Sequence, residues 1–124
     1  MSARVPEVLI VEHDAAVAQL LVEAVRAAAL EARAVGSAGE ALEATRGPAP
    51  DIVLLDLELP QSFGTNLGAA LRASWPQARL LLMTGPSEEG AAKAKWALKA
   101  QAVLTKPVAA DAIQMALRQP SVAA

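Results

Sequence analysis

Cysteine is absent from the 124 residues, so neither a disulfide framework nor a thiolate metal site is available. Tyrosine is absent too, and Phe63, Trp75 and Trp96 are the only aromatic residues. Large aliphatic side chains must therefore build the core. No apolar run approaches the roughly 20 residues that cross a bilayer. The stretch from Met1 to Pro6 lacks a signal-peptide hydrophobic region. Nor is there a surplus of one charge: 11 basic against 13 acidic side chains leave a net −2. That gives no electrostatic footprint for nucleic acid or an anionic membrane. A Gly-x-Gly-x-x-Gly turn and a Walker-type lysine loop are also missing, which argues against dinucleotide or nucleotide binding.

What is present is a chain 54% hydrophobic and 19% charged, long enough for one buried core and too short for two. One domain over residues 1–124 is expected, with its core at about 6–119 and a frayed, small-residue-rich tail after Arg118. No effector domain and no linker is legible in this chain, and a cytoplasmic location is the default expectation. Solid apolar runs stand at Val8–Val11, Ile52–Leu55, Leu80–Met83 and Ala102–Leu104. Runs of this kind suit strands buried on both faces. A weaker run, Ala32–Val35, is interrupted by Arg33 and suits an edge strand.

Helical patterns alternate with these runs. Val17, Leu20, Leu21, Ala24, Val25 and Ala28 recur at the spacing of one helix face, with Asp14 placed as N-cap. Further helices are expected from Ser37 to Arg46, Asn66 to Ser74, Ser87 to Ala100 and Asp111 to Gln119. Gly47-Pro48, Trp75-Pro76 and Pro120 mark three of their ends. Five strands alternating with five helices imply parallel strands, right-handed crossovers and a doubly wound α/β sheet.

Open parallel sheets bind ligands beyond the carboxyl ends of their strands. Those ends are polar here. The first run leads into Glu12-His13-Asp14, the third strand ends in Asp56, the fourth in Thr84 and the fifth in Thr105-Lys106. Carboxylates, a hydroxyl and an ammonium thus converge on one rim. Simpler roles stand beside each: Asp56 as a turn former, Thr84 as a loop hydroxyl, Lys106 as a solvated lysine, His13 as a ring resting at the rim. For Asp14, capping the first helix is the leading role, with metal binding second.

The layout resembles the receiver domain of response regulators over nearly the whole chain. Val8 to Asp14 is similar to the family's first strand and acidic pair. Asp51 to Pro60, with Gly64 following, is similar to the phosphoacceptor strand and loop. Met83-Thr84-Gly85 and Leu104-Thr105-Lys106-Pro107 are similar to the threonine and lysine-proline segments. The resemblance implies a flavodoxin-like five-stranded sheet of order 2-1-3-4-5 flanked by five helices. It implies that Asp56 accepts a phosphoryl group from a histidine kinase or histidine phosphotransfer protein. Lys106 would pair with a phosphoryl oxygen, and Thr84 would hydrogen-bond another and report the modified state. The implied metal is Mg²⁺, held by Glu12, His13, Asp56 and the backbone carbonyl of Glu58, with Asp14 as a further candidate ligand. The implied partners are a downstream effector, and a second copy joined through the fourth-helix/fifth-strand/fifth-helix face. Neither nucleic acid nor membrane is among them, and the chain is expected to be a signalling switch rather than an enzyme.

Two departures from the family pattern stand out. His13 replaces the second carboxylate of the acidic pair, and imidazole suits zinc, copper or nickel better than Mg²⁺. Weakened or altered Mg²⁺ binding is therefore expected. Val103 stands where the family commonly has Tyr or Phe, so an aromatic rotamer switch is excluded. Trp96 is expected to be partly buried against the sheet, and Glu58, two residues past Asp56, to influence acyl-phosphate lifetime. A degenerate receiver that binds proteins without phosphorylation is the second reading. A flavodoxin-like hydrolase or reductase is a distant third, since His13 has no evident nucleophile partner.

Overall fold

The computed structural model describes residues 4–59, 64–85 and 90–119. Five strands and five helices alternate: β1 (Glu7–Val11), α1 (Ala15–Ala27), β2 (Glu31–Val35), α2 (Ala38–Ala44), β3 (Ile52–Asp56), α3 (Gly64–Ser74), β4 (Arg79–Thr84), α4 (Ala91–Leu98), β5 (Ala102–Thr105) and α5 (Ala110–Arg118). All strand pairs are parallel, in the order β2-β1-β3-β4-β5. This is the doubly wound, flavodoxin-like receiver arrangement expected above.

The solid apolar runs become strands because the sheet is covered on both sides. Successive side chains point to opposite faces, so each strand feeds two cores. Leu9, Val11, Val53, Leu55, Leu80 and Leu82 pack with Leu67, Leu71, Trp75, Ala94 and Leu98 on one face. Val8, Ile10, Ile52, Leu54, Leu81 and Met83 pack with Leu21, Val25, Ile113 and Leu117 on the other. The helices α2, α3 and α4 thus cover one side, and α1 and α5 the other. Fully burying a Leu, Val or Ile side chain contributes roughly 1.5–3 kcal/mol, and β1 and β3 bury theirs almost completely. By contrast β2, with Arg33, is half-exposed at one edge, where Arg33 Nη2 lies 3.7 Å from Glu7 Oε1. Arginine at an edge position also discourages pairing with a further strand.

Local chemistry sets several helix ends. Asp14 Oδ1 accepts from the backbone N–H groups of Ala16 (2.9 Å) and Val17 (3.1 Å), starting α1. Ser37 Oγ accepts from Glu40 N at 3.1 Å while the Glu40 carboxylate returns to Gly36 N at 2.7 Å. Arg72 ties the end of α3 to neighbouring chain ends through Leu98 O (3.0 Å) and Ala78 O (2.6 Å). Gly68 permits the close approach of α3: a Cβ there would fall 2.6 Å from Leu98 Cδ1 and 3.1 Å from Leu55 Cδ2.

One expectation changes. Trp96 is 86% exposed on α4, not packed against the sheet. The inward face of that short helix is filled by Ala94 and Leu98, and Trp96 lies on the opposite side. The expected opening of this helix at Ser87-Glu88-Glu89 falls outside the described residues, as do Pro60 and Phe63. Within them α4 runs from Ala91 and closes at Lys99, whose φ of 54° is left-handed.

Candidate functional site

The chain order reverses between β1 and β3, and the site sits beyond that crevice. Glu12 directly follows β1, with its N–H still donating to Val35 O at 3.1 Å. Asp56 closes β3 and Thr84 closes β4. Lys106 follows β5, held by its N–H donating to Thr84 O at 2.7 Å. Strand continuation therefore fixes four backbones on one rim, and the side chains of Glu12, Asp56 and Lys106 meet there. Among the described residues, the buried polar or charged ones are Glu12, Asp56 and Thr84, all on this rim.

Asp56 is completely buried. Its Oδ1 accepts from Glu58 N–H at 2.8 Å. Its Oδ2 has no aligned hydrogen bond among the described residues, but lies 3.1 Å from Lys106 Nζ and 3.4 Å from His13 Nδ1. Lys106 also reaches both oxygens of Glu12, at 3.3 and 3.4 Å, and approaches Glu58 Oε1 at 3.9 Å. One ammonium thus faces three carboxylates. The Thr84 hydroxyl, buried at the end of β4, has no hydrogen-bond partner among the described residues. A buried hydroxyl left this way costs free energy, and an oxygen-rich group entering the rim would relieve it.

The two inner carboxylates titrate in opposite directions. Burial pushes the Glu12 carboxyl up to about 7, reinforced by the neighbouring Asp56 carboxylate and opposed by Lys106. Burial also works to raise Asp56, but the neighbouring Glu12, the Glu58 N–H and the Lys106 ammonium outweigh that and hold it below the ordinary value. For Lys106, burial lowers the pKa, yet Asp56 and Glu12 prevail and hold it above the ordinary value. Near neutral pH the site therefore has an ionised Asp56 facing a charged Lys106, with Glu12 close to its midpoint.

Not every residue expected at the site stands in it. Asp14, a further candidate metal ligand, spends Oδ1 on the α1 N-terminus and stands outside the cluster. The Glu58 side chain is half-exposed at the rim, and its backbone contributes the N–H to Asp56. Val103 is half-buried against the α3/α4 core, paired in register with Leu82. Sequence reasoning missed the Lys106–Glu12 pair, whose members are 94 residues apart. It also missed how Gly85 makes room for Glu58: a Cβ on Gly85 would lie 2.7 Å from Glu58 Oε2. Neither has a signal in the linear pattern.

Glu12, His13 and Asp56 form an acidic/histidine cluster that could hold a metal, with one donor atom from each within 4.8 Å of the others. The two carboxylates suit any divalent cation. A hard, six-oxygen Mg²⁺ shell does not fit the third donor, because His13 presents nitrogen.

The chain matches the response regulator receiver domain family over residues 8–118. The regulatory protein LuxO of Vibrio vulnificus is 30% identical over 105 residues, 85% of this chain and 23% of that protein. The DNA-binding response regulator MtrA of Mycobacterium tuberculosis is 38% identical over 66 residues, 53% of this chain and 29% of that one. The chain thus spans less than a third of the length of these relatives. Among solved structures, a receiver domain of an HD domain-containing protein from Pseudomonas fluorescens superposes with a TM-score of 0.85 at 27% identity, covering 94% of both chains. A CheY-like receiver from Methanospirillum hungatei gives 0.85 at 22% identity, covering 92% of this chain and 91% of that one. The second likeness shows the fold alone.

Proposed function

Because the chain belongs to the response regulator receiver domain family, we propose that it is a phosphoacceptor switch in a two-component phosphorelay, modified on Asp56. The observation that carries this reading is a fully buried aspartate 3.1 Å from a lysine ammonium, on a rim that also holds a buried threonine hydroxyl without a hydrogen-bond partner among the described residues. Phosphoryl transfer asks little of a protein beyond an aligned nucleophile and compensation of charge on the phosphoryl oxygens. An Asp56 carboxylate oxygen attacks phosphorus, and the bond from phosphorus to the donor imidazole nitrogen breaks. The electron pair of that bond stays on the departing imidazole. Lys106 then turns from the carboxylates to a phosphoryl oxygen, and the Thr84 hydroxyl gains the acceptor it lacks. The depressed pKa of Asp56 keeps the nucleophile ionised.

On this reading the donor is a histidine kinase or phosphotransfer protein. The whole of residues 1–124 acts as one receiver unit with its core at 6–119, and the effector is another domain or molecule. The family is a signalling domain, which supports a switch rather than an enzyme. No helix among the described residues is long and apolar enough to cross a membrane, and the net charge of −2 favours protein partners over nucleic acid. Both agree with work in the cytoplasm. Exposed Trp96 on α4 supports the reading that the α4–β5–α5 side meets an effector or a second copy.

One observation favours a second reading, a phosphorylation-independent binding module. Val103 is short, and its half-buried place leaves no ring to swing inward when Thr84 moves. Intact-mass spectrometry after incubation with a small phosphodonor, in Mg²⁺, Mn²⁺ and Zn²⁺ in parallel, separates the two. An adduct of one phosphoryl group, lost in Asp56→Asn, is the expected result. No adduct with any ion would favour the binding module.

A further inference from the structure

We infer that Glu12, His13 and Asp56 form a three-donor site that selects a borderline divalent transition metal, of the Zn²⁺ or Co²⁺ kind, over Mg²⁺. The inference deepens the phosphoacceptor reading and rests on it for the ion's use, not for its binding. Three observations carry it. The donors come as two carboxylates and one imidazole, all within 4.8 Å of one another. Two oxygens with one nitrogen suit an ion of intermediate softness, whereas Mg²⁺ holds to oxygen and dehydrates reluctantly.

The second observation is spacing. His13 Nδ1 and Asp56 Oδ2 are 3.4 Å apart. Two ligands each about 2.0–2.1 Å from a tetrahedral ion are separated by about 3.3–3.4 Å. An octahedral Mg²⁺ at about 2.0–2.1 Å would want neighbouring donors about 2.9–3.0 Å apart.

The third is the state of Asp56 Oδ2. It is fully buried, has no aligned hydrogen bond among the described residues and faces the His13 ring. Besides its ion pair with Lys106, this buried carboxylate oxygen has a lone pair to offer a cation on the His13 side. Lys106, 3.1 Å away, balances charge without supplying a donor atom. The other two members differ in exposure: Glu12 is buried, while the His13 side chain is 43% exposed. Three protein donors leave at least one coordination position open, as at metal sites that take up a water or a substrate oxygen.

The test uses the whole chain without any phosphodonor. The protein is titrated calorimetrically with Zn²⁺, Co²⁺ and Mg²⁺, and the visible absorption of Co²⁺ is followed. Zn²⁺ and Co²⁺ are expected to bind one-to-one and at least about tenfold more tightly than Mg²⁺. Bound Co²⁺ should give the intense bands of a four- or five-coordinate ion. His13→Ala should weaken Zn²⁺ and Co²⁺ about 10- to 100-fold and leave Mg²⁺ nearly unchanged. His13→Asp should raise Mg²⁺ affinity and narrow the preference for Zn²⁺ and Co²⁺, which also guards against a merely damaged site. Mg²⁺ binding as tightly as Zn²⁺, or a Co²⁺ spectrum unaltered by His13→Ala, overturns the inference. Neither result touches Asp56 phosphorylation, which the mass measurement above reads separately. A chain that binds Co²⁺ through His13 but never forms an adduct breaks the phosphoacceptor reading instead.

Discussion

Toward β4 and β5, Asp56 is flanked by Thr84 and Lys106, the residue types that the receiver family places there. Toward β1 it is flanked by Glu12 and His13, one of which departs from that pattern. The β5 side holds a point cation 3.1 Å from the carboxylate and a buried hydroxyl without a hydrogen-bond partner among the described residues, both suited to phosphoryl oxygens. The β1 side holds a carboxyl raised to about 7 and an imidazole, both suited to a cation or a proton. Nucleophile and charge compensation can therefore be kept while the identity of the ion changes. Lys106 couples the two sides, because it pairs with Glu12 as well as Asp56.

The most severe way to break this comparison is Asp56→Asn, which removes the nucleophile common to both sides. No phosphoryl adduct should form under conditions that modify the wild type fully, read by intact mass. Next comes Lys106→Ala. Loss of the charge that compensates the phosphoryl oxygens should slow adduct formation by about 10²- to 10³-fold, followed as a time course. Retention of the wild-type rate would show that the β5 side does not bear the phosphoryl group.

Glu12 gives a pH signature on the other side. Its carboxyl is raised in the folded chain to about 7 against an ordinary 4.5, chiefly by burial. The folded state therefore holds a proton that the unfolded state has already released across that window. Stability falls as pH rises from 4.5 toward and past 7, and Glu12→Gln should flatten that fall. Melting temperatures at several pH values in metal-free buffer check it. An added divalent ion should stabilise more as pH rises through the same window, because it binds the ionised carboxylate. The smallest effect is expected from Asp14→Ala, which removes the α1 cap. It should cost about 1 kcal/mol in chemical denaturation and leave divalent-cation affinity unchanged, since Asp14 stands outside the cluster.

Most of the fold was legible because it rests on strand burial. Val8–Val11 and Ile52–Leu55 are apolar at every position, and only a sheet covered on both faces uses such runs. Arg33 marked β2 as an edge for the same reason. The positions of Asp56, Thr84 and Lys106 at strand ends followed from those runs, since parallel strands deliver their carboxyl ends to one rim. What did not follow were properties of side chains in three dimensions. Trp96 lies at a sequence position compatible with either helix face, and only the packing of Ala94 and Leu98 decides which is inward. The sharing of Lys106 among Glu12, Asp56 and Glu58 depends on the relative heights of β1, β3 and β5. The raised pKa of Glu12 depends on its burial, which no local string encodes.

The central claim is that Asp56 carries the phosphoryl group, and peptide mapping tests it most directly. The chain is treated with a small phosphodonor in the presence of Zn²⁺, Co²⁺ or Mg²⁺, digested, and the peptide containing Asp56 is sequenced by mass. The account predicts one phosphoryl group, on Asp56 and no other residue. A peptide that stays unmodified with all three ions, or a phosphoryl group found elsewhere in the chain, would contradict it.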